Sequence, residues 1–171
     1  MIVREIEISD AEKLSRLMEY VEASSDYMLM EAGERENDYA QQIHRIQRIK
    51  KSSNSTILVA ENEQNELVGY LFAIGGDAKR NRHCAYIVVG ITETFRGQGV
   101  GTKLFIELNQ WAANHPIHRL ELTVVTRNEA GLSLYKKMGF EIEGTKKHSL
   151  CIGEEFVDEY YMAKFIDPSI E

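Results

Sequence analysis

The sequence predicts a mixed α+β fold in three layers, with helices on both faces of one sheet. Three observations carry this. Seven segments alternate apolar and polar residues or form short apolar runs, the two signatures of strands. Four others repeat apolar residues at helical spacing. The strands arrive both in succession and on either side of helices, which neither a pure meander nor a purely parallel sheet gives.

Residues 2–8, IVREIEI, alternate and form the first strand. Ser9 and Asp10, with Glu12 behind them, open a helix whose Leu14, Leu17, Met18 and Val21 share one face. The irregular, aromatic-bearing EASSDYMLMEAGEREN precedes a second helix over about 37–51. TILVAE and LVGYLFAIG are strands around the turn-like NEQN; after the loop GGDAKRNR, HCAYIVVGI is a strongly apolar strand. A glycine-rich segment then leads into a helix with Leu104, Phe105, Leu108, Trp111 and Ala112 on one stripe, which stops before Pro116. RLELTVV is a strand, and Asn128 caps a helix that runs to Met138 and ends at Gly139. FEIEGTKKHSL and EEFVDEYYMAKF form a terminal hairpin turning at Ile152–Gly153.

A chain of 171 residues, 43% hydrophobic and 27% charged, without linker, repeat or low-complexity tract, fits one domain over 1–171. The net charge of −7 argues against nucleic acid as a partner, since phosphate contact needs clustered Lys and Arg. The one basic run, HRIQRIKK at 44–51, interleaves with Ile43, Ile46 and Ile49 and is expected to be the solvated face of a helix. Cys84 and Cys151 lie far apart and outside any CxxC, which points to buried structural thiols. His44, His83, His115, His118 and His148 show no metal-ligand spacing, so no metal is expected. The charged, alternating N-terminus is no signal peptide and no apolar run is long enough to span a membrane, so a cytoplasmic protein is expected.

The segment VVGITETFRGQGVGTKLF places Gly97, Gly99 and Gly101 beside Arg96 at the mouth of a helix. A helix N-terminus leaves about four N–H groups unpaired and carries roughly half a positive charge. Glycines there let an anion approach the backbone closely, and pyrophosphate is often held this way. The plainer alternative is a strand-to-helix turn that needs positive φ. A Walker loop is excluded, because counting on from Gly97 puts Thr102 where its second glycine must stand. A dinucleotide fingerprint fails at the same residue, and Glu121 begins a strand where a ribose-binding acid should end one.

Arg96-Gly97-Gln98-Gly99-Val100-Gly101 matches Arg/Gln-x-x-Gly-x-Gly/Ala, which resembles the acyl-CoA-binding signature of the GNAT superfamily of N-acetyltransferases. NEAGLSLYKKMGF at 128–140 resembles that superfamily's N-x-x-A-x-x-L-Y-x-x-x-G-F pattern, and the order of elements along nearly the whole chain is similar to its fold. The resemblance implies a mostly antiparallel seven-stranded sheet, splayed between strands 4 and 5, with about four helices. It also implies that acetyl-CoA is the cosubstrate, with its pyrophosphate on the amides of Gln98, Gly99, Val100, Gly101 and Thr102 and Arg96 at the head of the loop. Pantetheine is implied beside Val89 and Ile91. Gly90 between them suggests a bulge that aims the Val89 N–H at the thioester carbonyl. Asn128 is implied near the pantetheine arm, and Tyr135 as the general acid that protonates the departing thiolate.

The expected reaction is direct attack of a primary amine on acetyl-CoA in a ternary complex. The acceptor is a small molecule such as an amino acid, polyamine or aminoglycoside, or a peptide N-terminus. Tyr27, Met30, Glu31, Glu34 and Tyr86 are candidate acceptor-site residues, with Glu36 and Glu121 as further candidate bases. A non-catalytic acetyl-CoA-binding sensor is the rival reading, and a homodimer is compatible with the fold.

Overall fold

The computed structural model describes residues 1–36 and 38–167. Its strands are β1 (Ile2–Glu5), β2 (Thr56–Glu61), β3 (Leu67–Gly75), β4 (Cys84–Ile91), β5 (Arg119–Val125), β6 (Glu141–Ile152) and β7 (Glu155–Phe165). Its α-helices are α1 (Ala11–Ala23), α2 (Tyr39–Lys50), α3 (Val100–Ala113) and α4 (Glu129–Lys137). The strands form one seven-stranded sheet in the order β1-β2-β3-β4-β5-β7-β6. Every neighbouring pair is antiparallel except β4–β5. The mixed sheet and the helices agree with the expected class. None of the described helices is long and apolar enough to cross a membrane.

The sheet carries a core on each face. Tyr70 and Phe72 of β3 pack with Leu14, Met18 and Val21 of α1 and Ile46 and Ile49 of α2. Leu71 and Ala73, pointing the other way, pack with Leu104, Phe105 and Leu108 of α3. This two-sided burial explains why β3 is apolar without alternation. α4 lies on the α3 face, where Leu134 and Tyr135 reach the core.

The first strand is shorter than its alternation suggests. After Ile6, which is buried, the chain tightens into a 3-10 turn over Ile8–Asp10, and the Asp10 carboxylate accepts from the Glu7 N–H at 2.9 Å. Arg4 holds Asp10 and Glu61 together, donating to Asp10 at 2.7 Å and to Glu61 at 2.5 Å. Burial pushes the Asp10 carboxyl up, but the Arg4 guanidinium and the Glu7 N–H outweigh it and leave it below its usual value of 3.8. A depressed carboxyl stabilises the fold above its unfolded pKa, and that share is lost as pH falls through the folded value. Arg4→Met is therefore expected to cost about 3 kcal/mol at pH 7, because it strands a buried carboxylate. It is also expected to flatten the acid limb of stability below about pH 4. Urea unfolding at both pH values measures this.

Two smaller expectations change. Cys84 is half-buried, but Cys151 is exposed on the terminal hairpin. The basic run is only partly solvated: His44, Arg48 and Lys50 face water, while Arg45 turns inward with its guanidinium 4.4 Å from the Phe72 ring centroid.

Candidate active site

The β4–β5 ladder is limited to Cys84↔Arg119, Ala85↔Leu120 and Tyr86↔Glu121. Beyond it a cavity of about 1090 Å³ is walled from both faces of the sheet. On the α3 face stand Gly97, Gly99 to Thr102, Asn128, Tyr135 and Lys137. On the other face stand Glu22, Tyr27, Arg35, Arg45, Tyr70, Tyr86 and Glu159.

The glycine loop does two jobs. Gly97 and Gly99 have φ of +71° and +81°, and nothing lies within 4 Å of where a Cβ would be. Their need is conformational, and their flank is open. Gly99 is the N-cap of α3 and supplies no side-chain cap. The first helical bond runs from Lys103 N–H to the Gly99 carbonyl at 3.1 Å, so the N–H groups of Val100, Gly101 and Thr102 precede the helical ladder. Lys137 stands beside them, its Nζ 3.4 Å from Thr102 Oγ1. An uncapped helix N-terminus, open glycines and an adjacent ammonium fit a diphosphate. Gly101 answers to packing instead: a Cβ there would fall 2.7 Å from Leu134 Cδ2, so it lets α3 seat against α4.

Two signature side chains serve the loop itself. Arg96 donates to the Ile91 carbonyl at 3.1 Å and to the Ser24 carbonyl and hydroxyl at 3.1 and 3.2 Å. It straps the loop to the ends of β4 and α1. Gln98 donates to the Thr94 carbonyl at 2.6 Å and lies off the cavity wall. Gly99→Ala forces an L-residue into the left-handed region and is expected to cost about 1–2 kcal/mol. Acetyl-CoA affinity is expected to fall about tenfold, measured by calorimetric titration, if the loop amides hold the anion.

The expected bulge at Gly90 is absent. The β3–β4 register runs unbroken from Gly69↔Ile91 to Gly75↔Ala85. Gly90 is glycine because the Tyr70 ring lies across it: a Cβ would fall 2.4 Å from Tyr70 Cζ. The Val89 amide is aimed by plain alternation instead. Thr92 donates to the Val68 carbonyl, and Gly76 to that of Cys84, each at 3.0 Å. In an antiparallel ladder the even positions of β4 therefore bond β3, while the N–H groups of Val89 and Ile91 turn towards β5. There the β5 ladder has already ended.

Tyr135 packs edge-on against Phe105, with ring centroids 5.7 Å apart, and its side chain lines the cavity. Burial, with a smaller contribution from Tyr86, pushes its phenol up to about 12, so it stays protonated across physiological pH. Asn128 accepts from the Gly131 N–H at 3.0 Å, capping α4. Gly131 stands where the family pattern has alanine, and a Cβ there would crowd Asn128 Nδ2 at 2.7 Å.

On the opposite wall, Tyr86 shares a 2.8 Å hydrogen bond with Thr123. Tyr27 and Met30 also line the cavity. Glu31 and Glu34 do not: both are exposed, and the Glu34 carboxylate accepts from the Glu31 N–H at 3.1 Å. Glu36 also stands off this wall, and Glu121 is engaged by Arg119 at 2.7 Å. The wall carboxylates are two that sequence reasoning missed. Glu22 is buried and held by Arg35 Nε at 3.0 and 3.2 Å. Glu159 is buried and accepts from Ser149 at 2.8 Å. The missed signal was helical phase: Glu22 follows Leu14 and Met18, and Arg45 sits between Gln42 and Ile49, each on its helix's buried stripe. Among the described residues, no group of three His, Cys, Asp or Glu is placed to hold a metal ion.

Residues 16–140 match the model of the family described as "Acetyltransferase (GNAT) family". The chain is 38% identical over 101 residues to the L-amino acid N-acetyltransferase AaaT of Escherichia coli (strain K12). That match covers 58% of this chain and 62% of the relative, so it spans less than two thirds of the relative's length. Among solved structures, an acetyltransferase of GNAT family from Streptococcus pneumoniae superposes with a TM-score of 0.93 at 29% identity, over 97% of this chain and 99% of that one. A GNAT superfamily phosphinothricin acetyltransferase from Sinorhizobium meliloti, solved in complex with AcCoA, shares the fold with a TM-score of 0.86 at 16% identity, over 99% of this chain and 91% of that one.

Proposed function

The chain belongs to the GNAT family of acetyltransferases, and on that premise we propose that it moves an acetyl group from acetyl-CoA to the primary amine of a small molecule. The observation that carries the proposal is a juxtaposition: the uncapped N-terminus of α3 and the protonated phenol of Tyr135 border one cavity at the gap between β4 and β5. Acetyl-CoA supplies the activated acetyl group; the chain supplies binding, orientation and proton handling.

Each residue then has a task. The amides of Gly99 to Thr102, with Lys137, hold the diphosphate. The N–H groups of Val89 and Ile91 pair along the pantetheine arm, and that of Val89 donates to the carbonyl oxygen as it gains charge. Asn128 fixes α4 at that arm. Tyr135 gives its proton to the departing sulfur. Glu159, whose partner is the neutral Ser149 hydroxyl, takes the amine proton, since Glu22 is committed to Arg35. Holding amine and thioester together contributes several kcal/mol to the rate. The relative named for L-amino acid acetylation supports a small amine acceptor.

Thiol release from acetyl-CoA across polyamines, amino acids, aminoglycosides and short peptides tests this. Saturable release with a small amine is expected. Tight acetyl-CoA binding with no release on any class would make the chain a binding module instead.

A further inference from the structure

The wall facing α1 and α2 carries two groups that acetyl transfer leaves unused. Tyr70 is fully buried, its ring lies across Gly90, and its hydroxyl has no hydrogen-bond partner among the described residues. A buried hydroxyl is normally paired, so an unpaired one bordering a cavity marks a place for a ligand atom. Beside it, the Tyr70 and Phe72 rings meet edge to face at 5.6 Å, and the Arg45 guanidinium stacks on Phe72. Arg45 lines the same cavity and has no carboxylate partner among the described residues. The neighbouring Arg35 is already neutralised by Glu22. This end of the cavity thus has one uncompensated positive charge at its surface and one unused O–H donor sealed just beneath it, which a ligand reaches by pressing into the wall.

We infer that Arg45 and Tyr70 receive the carboxylate of an α-amino acid acceptor, with its amine directed at the β4–β5 gap. The inference rests on the acetyl-transfer reading of the site and names its substrate class. A guanidinium and one hydroxyl match the two oxygens of a planar carboxylate, and charge-assisted bonds of this kind are the strong ones. Met18, Val21, Met28 and Met30 line the cavity nearby, which suits an apolar amino-acid side chain.

The test compares L-methionine and L-phenylalanine with their amides as acceptors, in the wild type and in the Tyr70→Phe and Arg45→Met variants. The wild type is expected to prefer the free acids by tenfold or more in kcat/KM. Tyr70→Phe is expected to raise KM for the acids about tenfold and that for the amides by a smaller factor, because an amide carbonyl accepts the same bond without the charge. Its ligand-free Tm is expected to hold or rise, because the variant removes an unpaired buried hydroxyl. Arg45→Met is expected to lower kcat/KM for the acids about 30-fold, with partial rescue by Arg45→Lys. Equal use of acids and amides, or equal losses on both in the variants, overturns the assignment. Should no amine be acetylated at all, calorimetric titration of L-methionine against its amide into protein saturated with CoA reads the same discrimination. A preference for the acid then upholds carboxylate recognition while acetyl transfer fails, and no preference overturns it.

Discussion

Tyr135→Phe is expected to lower kcat about 100-fold or more while acetyl-CoA binds as before. The phenylalanine keeps the edge-on contact with Phe105 and the fill of the cavity wall, so α4 and its Asn128 cap stay in place. What disappears is the proton that the departing sulfur needs. Because burial pushes the phenol up to about 12, it stays protonated across physiological pH, and its removal is expected to lower the rate throughout that range. The readouts are a single-turnover rate and a calorimetric titration. A variant with unchanged kcat would remove Tyr135 from the proton path and leave it as packing.

Gly90→Ala is expected to destabilise the protein by about 2–3 kcal/mol, the range for forcing atoms into a filled core. For a chain of this length that lowers Tm by roughly 5–10 °C. The new Cβ meets the Tyr70 ring at 2.4 Å, so this buried ring must leave its place in the wall and give up its packing. The same displacement disturbs Val89 and Ile91, the residues that face the gap. Shortening the opposing side chain in the double variant Gly90→Ala/Tyr70→Leu is expected to recover part of the lost stability, a coupling that a thermal-melt double-mutant cycle measures. Additive losses would mean that Gly90 is glycine for some reason other than Tyr70.

The pairing of Gly90 with Tyr70 also marks where sequence reasoning ran out. The glycine was visible, and a bulge was a sound expectation for an isolated glycine in a strand. Its actual cause lies twenty residues earlier, on the neighbouring strand, and register is needed to see it. The elements themselves were legible because their patterns are local: the α3 stripe, the Asn128 cap, the Gly139 stop and the terminal hairpin each depend on residues close in sequence. The amide loop was legible for the same reason, since Gly97 and Gly99 are turn positions two residues apart at one helix end. The acceptor wall was not. Glu31 and Glu34 sit in the right stretch of chain, but that stretch leaves their side chains in water. Glu22, Arg45, Tyr70 and Glu159 come from four separate elements, and the sheet order alone brings them to one cavity.

The most direct test of acetyl transfer is the stoichiometry of its products. Acetyl-CoA and an L-amino acid are incubated with the protein, and free thiol and N-acetylated amino acid are quantified together by titration and mass spectrometry. Direct transfer gives both products in a one-to-one ratio, with the acetyl group on the amine. Thiol released without acetylated amine, or neither product formed although acetyl-CoA is bound, would contradict it.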